Sequence, residues 1–201
     1  MGFVATPELG HQAVALGAQA LARLAHRGGL DADGKSGDGA GLLIQVPRRL
    51  LGGDLAVAVL FDWDERARAI VAGAIAASGL RLLEWRAVPV DPNSLGERAR
   101  ATMPAVWHGL IAKPDLEPEE WEHRLYLARR RAEARATEEG VRMYLPSCSS
   151  RTVVYKGLMD SLGLNLEKTD LKYFSKNING HYKRKIVRRP RLNLFKGVFD
   201  T

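Results

Sequence analysis

The chain has 201 residues, 46% of them hydrophobic, which suits one globular domain with its own core. Its formal charge of +7 is uneven: from Asp160 onward ten Lys or Arg face four Asp or Glu, so +6 sits in that tail. No run nears the roughly 18 apolar residues of a membrane helix, the first residues lack the charged start of a signal peptide, and a single cysteine, Cys148, excludes an internal disulfide or a cluster held by several thiolates. The expected compartment is the cytoplasm. The five histidines (His11, His26, His108, His123 and His181) form no i, i+4 pair and join no Cys or carboxylate at metal-site spacing, so no metal is expected.

In chain order, Gly2 to Ala5 reads as a short strand. Met1-Gly2 with Thr6 also fits a lipidation pattern, but the pattern is short and common, and a buried strand is preferred. Ala13 to Ala25 carries Val14, Ala18, Leu21 and Ala25 on one helical face, and Gly28-Gly29 ends that helix. Leu42 to Val46 and Leu55 to Phe61 are apolar runs of strand length. Asp62 and Glu65 have capping-box spacing before a helix over 67–77, which Gly79 stops. Leu80 to Val90 reads as strand. Ser94 and Glu97 repeat the capping-box spacing before a short helix. Ala105 to Ala112 is a strand. Pro118, with Glu119 and Glu120, opens the longest helix, which runs to about Glu139. Trp121, Leu125 and Ala128 form its apolar side, and Arg129-Arg130-Arg131 is solvated or paired with Glu133. Met143 to Ser147 and Thr152 to Tyr155 complete the series as strands. Strands with interspersed amphipathic helices give an α+β or α/β class.

Composition changes near Met159. Before it the chain is rich in Ala, Arg and Gly; after it Ala vanishes and Lys and Asn accumulate. Residues 1–159 therefore form the domain, and 160–201 a basic, divergent tail that is disordered or spurious. Lys183-Arg184-Lys185, Arg188-Arg189 and Arg191, with Tyr173, Phe174 and Tyr182, offer contacts to phosphates and bases. No nucleic-acid-binding module frames them, so nucleic acid is not the preferred partner.

The densest motif is His26-Arg27-Gly28-Gly29 followed by Gly37-Asp38-Gly39-Ala40-Gly41. A dinucleotide fingerprint needs glycines that leave a strand and open a helix. Here they follow a helix and lead into a strand. Gly29 to Ser36 formally completes a phosphate-loop string. However, a helix precedes it, and Gly37-Asp38-Gly39 prevents one from following, so the string does not describe a nucleotide site.

Taken together, "ALARLAHRGGLDADGKSGDGAGLLIQVP", "WRAVPVDPNSLGERARATMP", "RLYLARRRAE" and "SCSSRTVVYKGLM" resemble, in order, the N-terminal glutaminase domain of the glutamate synthase large subunit. The resemblance covers about residues 1–159 and implies a partial Ntn-type αββα sandwich within the α+β class. It implies a class II glutamine amidotransferase chemistry: an N-terminal cysteine thiolate attacks the glutamine amide, the free α-amino group serves as base, and ammonia is released. The ammonia then reaches a flavin domain for glutamate formation. FMN and an iron–sulfur cluster are implied for later domains of the full-length family, and no cofactor for this chain. Glutamine is the implied substrate, and other glutamate synthase domains or a small subunit are the implied partners.

The chain also departs from the family. Cys-Gly-Val-Gly-Phe of the family aligns so that Met1 takes the Val place, which puts the cysteine two residues upstream and suggests a misplaced start. Cys148 stands where the family has Leu, in a buried strand, and is not expected to replace the nucleophile. The later segments that hold the substrate carboxylate and the oxyanion hole do not appear, and Asn179-Gly180 reads as a turn. The fragment is expected to be inactive as written, with no catalytic residue of its own. Arg27 matches a helix-end arginine near the nucleophile loop, or simply satisfies helix carbonyls. Gly28 closes that helix, and Asp38, Gly39 and Gly41 shape a tight lead-in to the next strand beside the site. These five are the substrate-site-shaping candidates.

Overall fold

The computed structural model describes residues 11–23, 32 and 41–155. The expected first strand, the second glycine motif up to Ala40 and the basic tail at 160–201 lie outside them. The chain divides into two compact units, Ile44–Val88 with Pro104–Val154, and Met1–Leu43 with Pro89–Met103 and Tyr155–Thr201.

Within the first of these, Leu55–Asp62 forms strand β2, buried at every position. (The preceding elements are α1, His11–Arg23, β1, Leu42–Gln45, and a one-turn helix α2, Arg48–Leu51.) An apolar run without alternation suits a strand covered on both faces. Antiparallel β4, Ala105–Ala112, pairs with it from Leu55↔Ala112 to Asp62↔Ala105. On the other side β2 pairs with β5, Met143–Ser149, and the register shifts between Val59 and Phe61. β3, Leu82–Ala87, lies outside β4, giving the order β3-β4-β2-β5. A second sheet pairs β1 with β6, Thr152–Tyr155. Helices with antiparallel sheets confirm the α+β class expected from the sequence.

Ala56, Ala58 and Leu60 face a core shared with helices α3, Arg66–Ala77, and α5, Pro118–Glu138. α3 contributes Ala67, Ile70, Val71, Ala74 and Ile75. α5 contributes Trp121, Leu125, Ala128, Ala132 and Ala136, which continues the apolar side read from the sequence by two further turns. The alanines keep the helices close to the sheet and to each other. Leu125 is fully buried, and truncating such a leucine to alanine costs about 2–5 kcal/mol.

α3 ends where Gly79 predicts. Gly79 takes φ +71°, Gly79 N donates to Ala76 O (2.9 Å) and Leu80 N to Ile75 O (3.1 Å), the two bonds of a Schellman cap. Arg131 of α5 completes it, donating to Ala77 O at 2.9 Å and Ser78 Oγ at 2.8 Å. Arg129 and Arg130 pair with Glu133 as expected, at 2.9 and 2.5 Å, whereas Arg131 has this different role.

Both capping boxes are corrected. Asp62 remains in β2, opposite Ala105 and Met143, and its Oδ1 accepts from Asp64 N at 2.9 Å. The N-cap of α3 is Glu65, which makes no side-chain cap bond. In the other unit, Asp91 accepts from Asn93 N and caps a 3-10 turn, Pro92–Ser94; Gly96 then precedes α4, Glu97–Ala101. The carboxylate nearest each chain reversal stabilises the turn before the helix. Also within that unit, Leu42 Cδ1 lies 3.6 Å from where a Cβ on Gly17 of α1 would be.

Candidate functional site

Of the five candidate positions, Arg27, Gly28, Asp38 and Gly39 lie outside the described residues. Gly41 is buried and leads directly into β1.

It does bring together a set that the sequence reading passed over. Glu122, on the second turn of α5, meets the turn joining β5 to β6. Ser149 Oγ donates to Glu122 Oε2 at 3.0 Å, Ser150 N donates to Oε1 at 2.8 Å, and Ser150 Oγ also donates to Oε1. Ser149 Oγ in turn accepts from Arg151 N at 3.0 Å and Thr152 N at 3.4 Å. Arg151 Nη2 reaches Glu119 Oε1 at 2.6 Å, and Arg48 Nη2 donates to Ser150 O at 3.4 Å. Both serine hydroxyls give their protons to one carboxylate, so they hold a turn rather than stand ready as nucleophiles. The available signal was the Ser-Ser-Arg-Thr block, but its partner on α5 lies 27 and 28 residues away.

Cys148 lies on β5 opposite Ala58, within the helix-covered core, and is 8% exposed. Burial pushes its thiol up to about 12; the Glu122 charge adds to this and Arg129 opposes it. At neutral pH the thiol is therefore held protonated. Cys148 is buried in a strand, as expected. A sole cysteine also does not fit an iron–sulfur cluster, which takes several thiolates. Among the described residues no group of three His, Cys, Asp or Glu is placed to hold a metal ion, and no helix is long and apolar enough to cross a membrane. His108 is buried in β4 opposite Val59, and His123 is exposed on α5.

At one end of β2, Asp62 is 7% exposed and Arg68 Nε stands 3.5 Å from its Oδ2. Burial raises the Asp62 carboxyl above its ordinary value, against the hydrogen bond from Asp64 and the charge of Arg68. Arg68 also lies over the Trp107 ring, 4.6 Å from its centroid. This group ties β2, α3 and β4 together.

Residues 1–179 match the model of the class-II glutamine amidotransferases. The large chain of the NADPH glutamate synthase of Azospirillum brasilense is 35% identical over 162 residues, covering 71% of this chain and 11% of that protein. Ferredoxin-dependent glutamate synthase 2 of Synechocystis is 34% identical over 195 residues, 86% of this chain and 12% of that protein. The large chain of the NADPH glutamate synthase of Bacillus subtilis is 34% identical over 167 residues, 74% and 11% respectively. The chain thus spans 11 to 12% of the length of these relatives.

Proposed function

The chain belongs to the class-II glutamine amidotransferases, and we propose that it is part of the glutamine-hydrolysing, ammonia-releasing domain of a glutamate synthase. Glutamine is its substrate class, and the remaining domains of such a synthase are its partners. The observation that carries this reading is the family match over residues 1–179, joined by synthase relatives at 34–35% identity. The α+β core with a strand buried on both faces supports it.

Amide hydrolysis through a thiolate requires an accessible sulfur of near-neutral pKa. Cys148, the only thiol in these 201 residues, is buried behind α5 and held protonated. These residues as they stand therefore carry no thiolate for the attack, and they serve as scaffold for it. The lead-in at Gly41, followed by β1, belongs to that scaffold. On this reading FMN and an iron–sulfur cluster are bound elsewhere in the parent enzyme.

The test is covalent labelling by a glutamine-analogue electrophile, read by peptide mass spectrometry. No adduct on Cys148 is the expected result. A stoichiometric adduct on Cys148 that glutamine prevents would overturn the assignment of this thiol as structural and the reading of the chain as scaffold.

A further inference from the structure

The chain leaves the four-stranded sheet and enters the two-stranded one at the turn between β5 and β6. That corner has few apolar contacts of its own: of its residues 147–152, only Cys148 belongs to the helix-covered core. Polar bonds hold it instead. Val46 N, just after β1, donates to Arg151 O at 3.0 Å, and Val154 N in β6 donates to Ser147 Oγ at 3.1 Å.

α5 grips the outgoing strand at two points. Arg129 Nη1 donates to Pro146 O at 3.4 Å, and Glu122 takes its three hydrogen bonds from Ser149 and Ser150. Glu122 and Arg129 are seven residues apart, two turns of one helical face, about 10 Å along the axis. That spacing matches the three- to four-residue offset from Pro146 to Ser149 and Ser150 along the extended chain. The carboxylate therefore reads the position of the turn relative to a helix that is itself anchored in the core by Trp121 and Leu125.

We infer that Glu122 is a positioning residue, which fixes the turn after β5 and so sets the placement of β6 residues 152–154 and of Val46, which is bonded to that turn. The inference does not rest on the glutamine reading. It assigns a local coupling role to a carboxylate whose neighbours make it look like one more acid on a charged helix. Losing it frees the corner without loosening the core.

Residue-resolved hydrogen exchange tests this in the intact chain. In Glu122→Ala, the Val46 and Val154 amides should exchange about tenfold faster or more, while Ala58 and Leu60 in β2 stay as in the parent. Glu122→Gln keeps an acceptor for Ser150 and should recover much of the protection. If Glu122→Ala does not fold, Glu122→Gln and Ser149→Ala carry the same comparison, with smaller selective acceleration at Val46 and Val154. Equal acceleration in both groups of amides would make Glu122 a general stabiliser and overturn the inference. Unchanged exchange at Val46 and Val154 would also overturn it.

Discussion

Single residues show how burial determines chemical role in this chain. Cys148 is an unpaired thiol beside a carboxylate, a combination that on a surface could suggest reactivity. In β5 its burial favours the neutral form, and the nearby Glu122 charge disfavours the thiolate further. The sign of the linked pH effect follows. The folded pKa, about 12, lies above the ordinary value of 9.0, so the stabilisation is fully present below about pH 9 and is lost as pH rises towards 12. Alkaline unfolding should therefore be shallower in Cys148→Ala than in the parent, measured as denaturant midpoints between pH 8 and 11. Parallel pH profiles would contradict the buried-thiol account. The sequence allowed this reading because Cys148 falls in a strand-length segment, at a position where the resembled family has Leu. It hid Glu122, since nothing local on a helix rich in Glu and Arg marks one acid as meeting a turn 27 residues away.

At the scale of elements, the long periodic or apolar runs were legible and the short or polar ones were not. β2, α3, β4 and α5 have patterns that allow one solution, and their ends are set by residues with plain signals, Gly79 and Pro118. The one-turn helix α2 has too few residues for a pattern. The capping boxes misled because Asp62 is held in β2 by pairing on both sides, which directs its carboxylate to the turn rather than to the helix. Two glycines make opposite predictions. A Cβ on Gly109 in β4 would stand 3.0 Å from Trp85 and 3.2 Å from Leu82, so Gly109→Ala should destabilise the chain by about 1–3 kcal/mol. A Cβ on Gly73 within α3 would meet only the guanidinium end of Arg135 at 3.4 Å, an ordinary contact, so Gly73→Ala should stabilise by about 0.5–1 kcal/mol through helix propensity. Chemical denaturation of the two variants checks both, and the same sign at both positions would contradict the packing described.

For the whole molecule, family and fold class were legible from ordered sequence blocks, while four of the five site candidates fall outside the described residues. Arg27, Gly28, Asp38 and Gly39 lie in glycine-rich segments that have no periodicity to fix their geometry, and the structure describes only Gly41 among the five. What residues 44–88 and 104–154 provide is a scaffold: a four-stranded sheet packed against two helices, with a carboxylate-held turn after β5. A scaffold of this family should be exchangeable with that of a relative. The decisive measurement is glutamine-dependent glutamate formation by the Azospirillum brasilense large chain, in complex with whatever else it needs, after its matching segment is replaced by residues 11–155 of this chain. Activity within about tenfold of the parent is the expected result, since the reacting groups stay with the host while the scaffold changes. A folded chimera that has lost glutamine hydrolysis but still forms glutamate from added ammonia would contradict the assignment.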